Sequence, residues 1–249
     1  MVLNFKKYTR KNKLFDNKLV LALDVENIDE AKSIVSELKD LVGVFKVGKQ
    51  MFTKYGPLIV EYIHSQNCKV FLDLKFHDIP NTVAGAAKSA VELGVFMFNV
   101  HCLGGKDMMK AAKDSAVSTA EKLGITPPII LGVTVLTSIT PEVLKSDLKV
   151  SDNLNDYVAF LAKSAKQSFL DGVVASPNEI GIIRKTCGKN FIILTPGIRP
   201  AWSSKDDQAR ITTPADAIKM GSDFIVIGRP ILMAKDRRAA VERILGEIA

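Results

Sequence analysis

The chain has 249 residues, 47% of them hydrophobic, with 34 basic and 27 acidic side chains and a formal net charge of +7. That is apolar material for a full core in one large domain or two, and its apolar runs are far shorter than the ~20 residues of a membrane-spanning helix. The basic excess is scattered, denser only at residues 6–13, and no basic block interleaves with aromatics; this argues against nucleic acid and for a small anionic ligand.

Residues 1–18 are basic, carry no acidic residue before Asp16 and lack the long apolar core of a secretory signal. We expect them to form an N-terminal helix or arm ahead of one domain spanning 19–249. Cys68, Cys102 and Cys187 are odd in number and far apart, with no C-x-x-C spacing, which points to reduced thiols in a cytoplasmic protein and to neither zinc nor disulfides.

From there one theme repeats. Apolar, β-branched runs occur at LVLALD (19–24), VFKVG (44–48), KVFLDLK (69–75), VFMFNVH (95–101), IILGVTVL (129–136), DGVVAS (171–176), FIILTPG (191–197) and DFIVIG (223–228). Segments with helical spacing follow at 28–41, 51–66, 81–93, 105–123, 154–168, 177–186, 214–220 and 230–247. In the first, Ile28, Ala31, Ile34, Val35 and Leu38 keep the helical period, with Asp29 and Glu30 in the opening turn. The strands are continuously apolar, as parallel strands covered by helices are. Eight such units predict an α/β fold, the TIM (β/α)8 barrel. A doubly wound sheet usually has fewer strands and a Gly-rich loop after the first, which LALDVENIDEA lacks.

The barrel makes a site of scattered polar residues, because chemistry in this fold sits at the C-terminal ends of the strands. Asp24, Lys46, Asp73, Lys75, His101, Thr137, Ser176 and Arg199 fall there, with Gly228, Arg229 and Pro230 after the eighth strand. Gly228 permits close backbone approach, Arg229 offers a fork of donors, and Pro230 suits a helix start. A phosphorylated ligand follows. The densest run is FLDLKFHDIPNTV (71–83). On a regular strand Asp73 and Lys75 share a face, with Cα atoms about 6.6 Å apart. A structural ion pair at a strand end accounts for that pair as well as chemistry does. The polar loop 198–214, with Trp202 and Gln208, reads equally as a lid, with Gln208 reaching an anion on closure, or as a variable surface loop.

The run Asp73, Lys75, Asp78, Ile79, Pro80, Asn81, Thr82 matches D-x-K-x-x-D-I-P-N-T, and with LALD, FKVG, VTVLTS (133–138), TPGIRP (195–200) and IGRPI (227–231) the chain resembles the orotidine 5′-monophosphate decarboxylase family from Leu19 onward. The resemblance implies conversion of orotidine 5′-monophosphate to UMP in pyrimidine biosynthesis, with no cofactor and no metal. It implies that Lys46, Asp73, Lys75 and Asp78 form the catalytic charge network, with Lys75 the proton donor. It implies a homodimer in which Asp78 serves the neighbouring subunit's site. Asp24 and Lys46 match residues holding the ribose, and Asp73 to Thr82, with Ile79 and Asn81, match the stretch lining pyrimidine and ribose. Thr137 and Ser138 match the motif near the base, Arg199 and Gly228 match ligand contacts, and Gln208 and Arg229 match the phosphate grip. His77 and His101 receive no role.

Loss of CO2 from C6 leaves an sp² carbanion with little resonance help, and no motif for an electron-sink cofactor is visible, so pre-set charge must stabilise it. The same superfamily holds Mg²⁺-dependent sugar-phosphate decarboxylases and aldolases with a Glu at the end of strand two, where this chain has Lys46; an ammonium cannot ligate a cation. A non-catalytic nucleotide-binding barrel would be expected to lose Asp73 or Lys75, and both are present.

Overall fold

The computed structural model describes residues 17–203 and 212–249. Eight parallel strands, β1 (Leu19–Ala22), β2 (Val44–Gly48), β3 (Lys69–Phe76), β4 (Met97–His101), β5 (Ile129–Val133), β6 (Gly172–Val174), β7 (Ile192–Thr195) and β8 (Phe224–Ile227), pair in sequence order, and β8 closes on β1. The expected TIM barrel is the observed fold. Residues 1–16 of the expected arm lie outside the described residues, but Asn17 and Lys18 already join the barrel. Asn17 Nδ2 donates to the Leu41 carbonyl at 2.7 Å, and the Lys18 carbonyl accepts Ile225 N–H at 2.9 Å.

Alternate strand residues build two cores. Val20, Ala22, Val44, Phe71, Met97, Leu131, Leu194, Phe224 and Val226 fill the barrel interior. Their neighbours, among them Leu21, Phe45, Leu72, Phe98, Ile130 and Ile225, face the helices. Continuing the inward phase by one step replaces Ala22 with Asp24, Val44 with Lys46, Phe71 with Asp73 and Met97 with Asn99. The interior is thus apolar below and charged at its C-terminal mouth. Gly172 is required where β6 meets β7, since a Cβ there would lie 2.2 Å from the Ile192 carbonyl oxygen.

The helices are α1 (Ile28–Leu38), α2 (Lys49–Tyr55), α3 (Leu58–Ser65), α4 (Pro80–Glu92), α5 (Gly105–Leu123), α6 (Pro141–Ser146), α7 (Leu154–Gln167), α8 (Ile180–Cys187), α9 (Pro214–Met220), α10 (Arg229–Leu232) and α11 (Arg237–Ile248). Three depart from the expected pattern. The 51–66 segment breaks into α2 and α3 at Gly56, whose φ of +56° precedes Pro57, a left-handed residue and a proline that together stop a helix. α6 is an additional helix after β5, capped by Thr140 Oγ1 accepting Val143 N–H. The final segment divides into the single turn α10 and α11, the latter capped by Asp236. α11 returns to α1: Arg238 makes a bidentate pair with Asp40 at 2.8 and 2.7 Å, and that hydrogen bonding holds the Asp40 carboxyl down at about 2.

Two half-buried ion pairs stitch the N-terminal end of the barrel. Asp171, just before β6, receives Lys113 of α5 at 2.9 Å and the Ile130 N–H of β5 at 2.8 Å. Asp223, just before β8, receives Arg184 of α8 at 2.7 Å and the Ile193 N–H of β7 at 2.8 Å.

Candidate active site

Four charges of alternating sign line the mouth of β1 to β3. Lys46 Nζ lies 3.1 Å from Asp24 Oδ1 and 3.4 Å from Asp73 Oδ2, and Lys75 Nζ lies 2.6 Å from Asp73 Oδ1. The Lys46 and Asp73 side chains are only 10% and 14% exposed, where an unpaired charge would be costly and alternation offsets much of that cost. Gly48 makes room, since a Cβ there would stand 3.3 Å from Lys46 Nζ and 3.4 Å from Asp24 Oδ1.

Asp73 and Lys75 meet, as their spacing predicts, but not through a regular strand. The β3–β4 register runs Leu72 to Phe98 and then Phe76 to Val100, so β3 takes four steps while β4 takes two. Within this bulge Lys75 has a φ of +52°, a left-handed conformation that costs about 1–3 kcal/mol for a non-glycine residue. Asn99, fully buried on β4, steadies it: Asn99 Oδ1 accepts Lys75 N–H at 2.8 Å, and Asn99 Nδ2 donates to Asp73 Oδ1 at 2.7 Å. The sequence reading missed Asn99. Its one signal was a polar residue inside VFMFNVH, in phase with the inward Met97.

Lys46, Asp73 and Lys75 border a cavity of about 170 Å³ whose other walls are largely apolar, with Phe71, Val133, Val226 and Pro196, and with Thr137 at its rim. A second hollow of about 170 Å³, on the Asp24 and Gly48 side, shares the same three charged residues. A third, of about 320 Å³, is lined by Arg199, Trp202, Ser203, Arg229 and Pro230. It brings together the two arginines that the sequence assigns to ligand contact. α10 is one turn long, so the arginine forks, and not a helix end, are the anion-attracting feature there. Gly228 keeps the end of β8 close to β1, where a Cβ would stand a tight 3.3 Å from Ala22 Cβ.

Other predicted residues are not gathered in. Asp78, Ile79, Asn81 and Thr82 face outward, and none borders the cavity at Lys75. Asp78 Oδ1 accepts the Ile79 N–H at 2.6 Å, and Ile79 is 67% exposed. Ser138 is exposed beside Thr137. Gln208 lies outside the described residues. The described ends of its loop are tied, with Arg199 N–H donating to the Thr212 carbonyl at 3.1 Å. Trp202 is fastened to α11, donating to Glu247 at 3.1 Å beneath Arg243.

His101 ends β4 and stacks on His77, ring centroids 5.2 Å apart. Burial, reinforced by His77, Lys75 and Lys49, pushes the His101 imidazole down to about 4, and its Nδ1 is buried without a hydrogen-bond partner among the described residues. All three cysteines are free thiols, and burial pushes Cys102 up to about 12. Among the described residues no group of three or more His, Cys, Asp or Glu is arranged to hold a metal ion, and no helix is long and apolar enough to cross a membrane.

Residues 17–244 match the model of the orotidine 5′-phosphate decarboxylase / HUMPS family. The chain is 50% identical over 232 residues to orotidine 5′-phosphate decarboxylase of Syntrophomonas wolfei, covering 93% of this chain and 97% of the relative. It is 51% identical over 232 residues to the same-named protein of Syntrophotalea carbinolica, covering 93% and 95%. The crystal structure of orotidine 5′-phosphate decarboxylase from Lactobacillus acidophilus superposes with a TM-score of 0.83 at 40% identity, covering 93% of this chain and 99% of that one. The chain, an eight-stranded barrel with charged inward residues at its mouth and matched over 93% of its length by such relatives, belongs to the orotidine 5′-phosphate decarboxylase / HUMPS family.

Proposed function

We propose that the chain is a carboxy-lyase that converts orotidine 5′-monophosphate to UMP in pyrimidine biosynthesis, without metal or organic cofactor. The observation that carries this reading is the Asp24–Lys46–Asp73–Lys75 chain, which ends in a lysine at the edge of an apolar-walled cavity. With the pyrimidine in that cavity, the C6 carboxylate departs as CO2 and its bonding electron pair stays on C6. A proton then passes from the Lys75 ammonium to C6, giving UMP, and solvent reprotonates the amine. Lys75 Nζ bonds Asp73, which leaves further N–H donors to face the cavity. The array is fixed before substrate arrives, so the developing carbanion meets charge that needs no reorganisation.

Arg199 and Arg229 suit the 5′-phosphate, and remote binding energy taken up there can be used at C6. Thr137 and Ser138 belong to the base end, and Gln208 to the phosphate. Asp78, Ile79, Asn81 and Thr82 act across a homodimer interface, with Asp78 completing the partner's array. Support for this is their outward placement and the exposed Ile79 beside Asp78. Residues 19–249 are one domain, which Asn17 and Lys18 join, and the spaced thiols favour the cytoplasm. Against a Mg²⁺-dependent sugar-phosphate reaction stands Lys46, whose ammonium lies between the Asp24 and Asp73 carboxylates where a cation would have to sit.

The test is to follow orotidine 5′-monophosphate absorbance with purified protein in EDTA. Conversion at a rate unaffected by the chelator is expected. No conversion, or a loss restored by Mg²⁺, overturns the reading.

A further inference from the structure

Both hydrogen bonds of the Asn99 side chain go to the charged chain, and each end of its amide has a separate task. Its oxygen accepts the main-chain N–H of Lys75 at 2.8 Å, and its nitrogen donates to Asp73 Oδ1 at 2.7 Å. The two partners fix the amide's orientation, because an N–H must face the oxygen and a carboxylate must face the NH2. At the other end of the barrel, strand N–H groups of Ile130 and Ile193 are accepted by carboxylates, Asp171 and Asp223. A carboxylate at position 99 would meet Asp73 at hydrogen-bond distance, like charge on like. Only a side chain carrying both a donor and an acceptor serves here.

The bulge explains why the task exists. Between Leu72 and Phe76 the β3–β4 ladder has no residue pairs, so Lys75 N–H lies where strand pairing offers it no acceptor. Asn99 supplies one, and by the same amide fixes the carboxylate that holds Lys75 Nζ at 2.6 Å. Backbone and side chain of Lys75 are therefore referenced to a single buried group on the neighbouring strand.

We propose that Asn99 is a positioning residue of the decarboxylation site, one amide locking the Asp73 carboxylate and the left-handed Lys75 main chain into the arrangement that aims the Lys75 ammonium at the cavity. This rests on the function proposed above. Asn99 meets no reacting atom and acts through Asp73 and Lys75.

The test compares wild type, Asn99→Ala and Asn99→Asp on orotidine 5′-monophosphate across pH. Asn99→Ala is expected to lower kcat about 100-fold with KM within about threefold, as a misplaced catalytic group does. Asn99→Asp is nearly isosteric. Its introduced group faces Asp73 and Lys75 on β3, with Lys46 beyond on β2 and His101 two residues along its own strand. When protonated it can donate to Asp73 as the amide does; when ionised it repels Asp73. Its kcat therefore acquires a limb that falls as pH rises, absent from wild type and from Asn99→Ala. A merely structural Asn99 would lower the denaturation midpoint of both variants without that limb.

Folded Asn99→Ala with kcat within threefold of wild type, or an Asn99→Asp profile parallel to wild type, overturns the proposal. If Asn99→Ala does not fold, the Asn99→Asp profile decides alone. An inactive wild type overturns the functional reading with it, whereas an active wild type with unaffected variants overturns only the role of Asn99.

Discussion

At the N-terminal end of the barrel, Asp171 and Asp223 each face one basic partner, Lys113 and Arg184, and each gives a carboxylate oxygen to a strand N–H. At the C-terminal end Asp73 faces two lysines and an amide, so its carboxylate is held by side chains. The first arrangement neutralises charge in pairs and ties it to the main chain, so its effect is on stability. The second strings charges together, seats one lysine in a left-handed conformation and turns its last ammonium toward a cavity. Similar residue types do opposite work, and what separates them is where the hydrogen bonds end.

Substitutions at the two ends should therefore separate rate from stability. The largest effect is expected of Asp73→Asn, which leaves Lys46 and Lys75 without the charge between them: kcat/KM of the folded protein should fall by about 10⁴-fold or more, alongside a lowered denaturation midpoint, since two largely buried ammoniums lose their shared carboxylate. A comparable loss of stability without loss of rate would put Asp73 with the structural pairs. Next, Arg229→Ala should lower kcat/KM for orotidine 5′-monophosphate by about 100- to 1,000-fold while scarcely changing the slower reaction of the phosphate-free nucleoside. Equal losses on both substrates would remove Arg229 from the phosphate grip.

Stability should respond to pH at the C-terminal end through His101. Its imidazole is held neutral, with a folded value pushed to about 4 against an ordinary 6.5. The unfolded chain thus takes up the proton first, so this contribution is complete above pH 6.5 and is lost as pH falls toward 4. Over that window it amounts to as much as about 3 kcal/mol. Glu179, pushed up to about 7 by burial, works the other way: its contribution is present below 4.5 and is lost as pH rises through 7. The stability gap between wild type and His101→Gln, from denaturation at pH 4 and 6.5, should widen as pH rises; a constant gap would show that His101 is not held neutral. The smallest effect is expected of Arg184→Ala, which loses its pair with half-exposed Asp223 and its bonds to the Gly221 and Phe191 carbonyls. It should cost about 2–3 kcal/mol, with kcat of the folded protein within about threefold. A collapse of kcat in folded protein would blur the division between the two ends.

The barrel was legible because parallel strands covered on both faces are continuous apolar runs, and eight of them alternate with helical periods. The helix breaks were less so. Gly56-Pro57 lies inside a segment whose apolar period runs on across it, and Thr140-Pro141 opens a helix too short for periodicity to reveal. At the site the charged residues stood out because Lys46, Asp73 and Lys75 interrupt apolar strands. Asn99 did not, since a neutral amide in a strand reads as packing until the inward phase of β4 is known. The left-handed Lys75 had no sequence signal either, because its conformation follows from the bulge and from Asn99 across the ladder, and not from lysine itself.

The account centres on Lys75 as the group that protonates C6. Turnover of orotidine 5′-monophosphate and binding of UMP by Lys75→Ala, measured on one folded preparation, test it most directly. The account predicts turnover below detection with UMP binding still measurable. Turnover near that of wild type would contradict it.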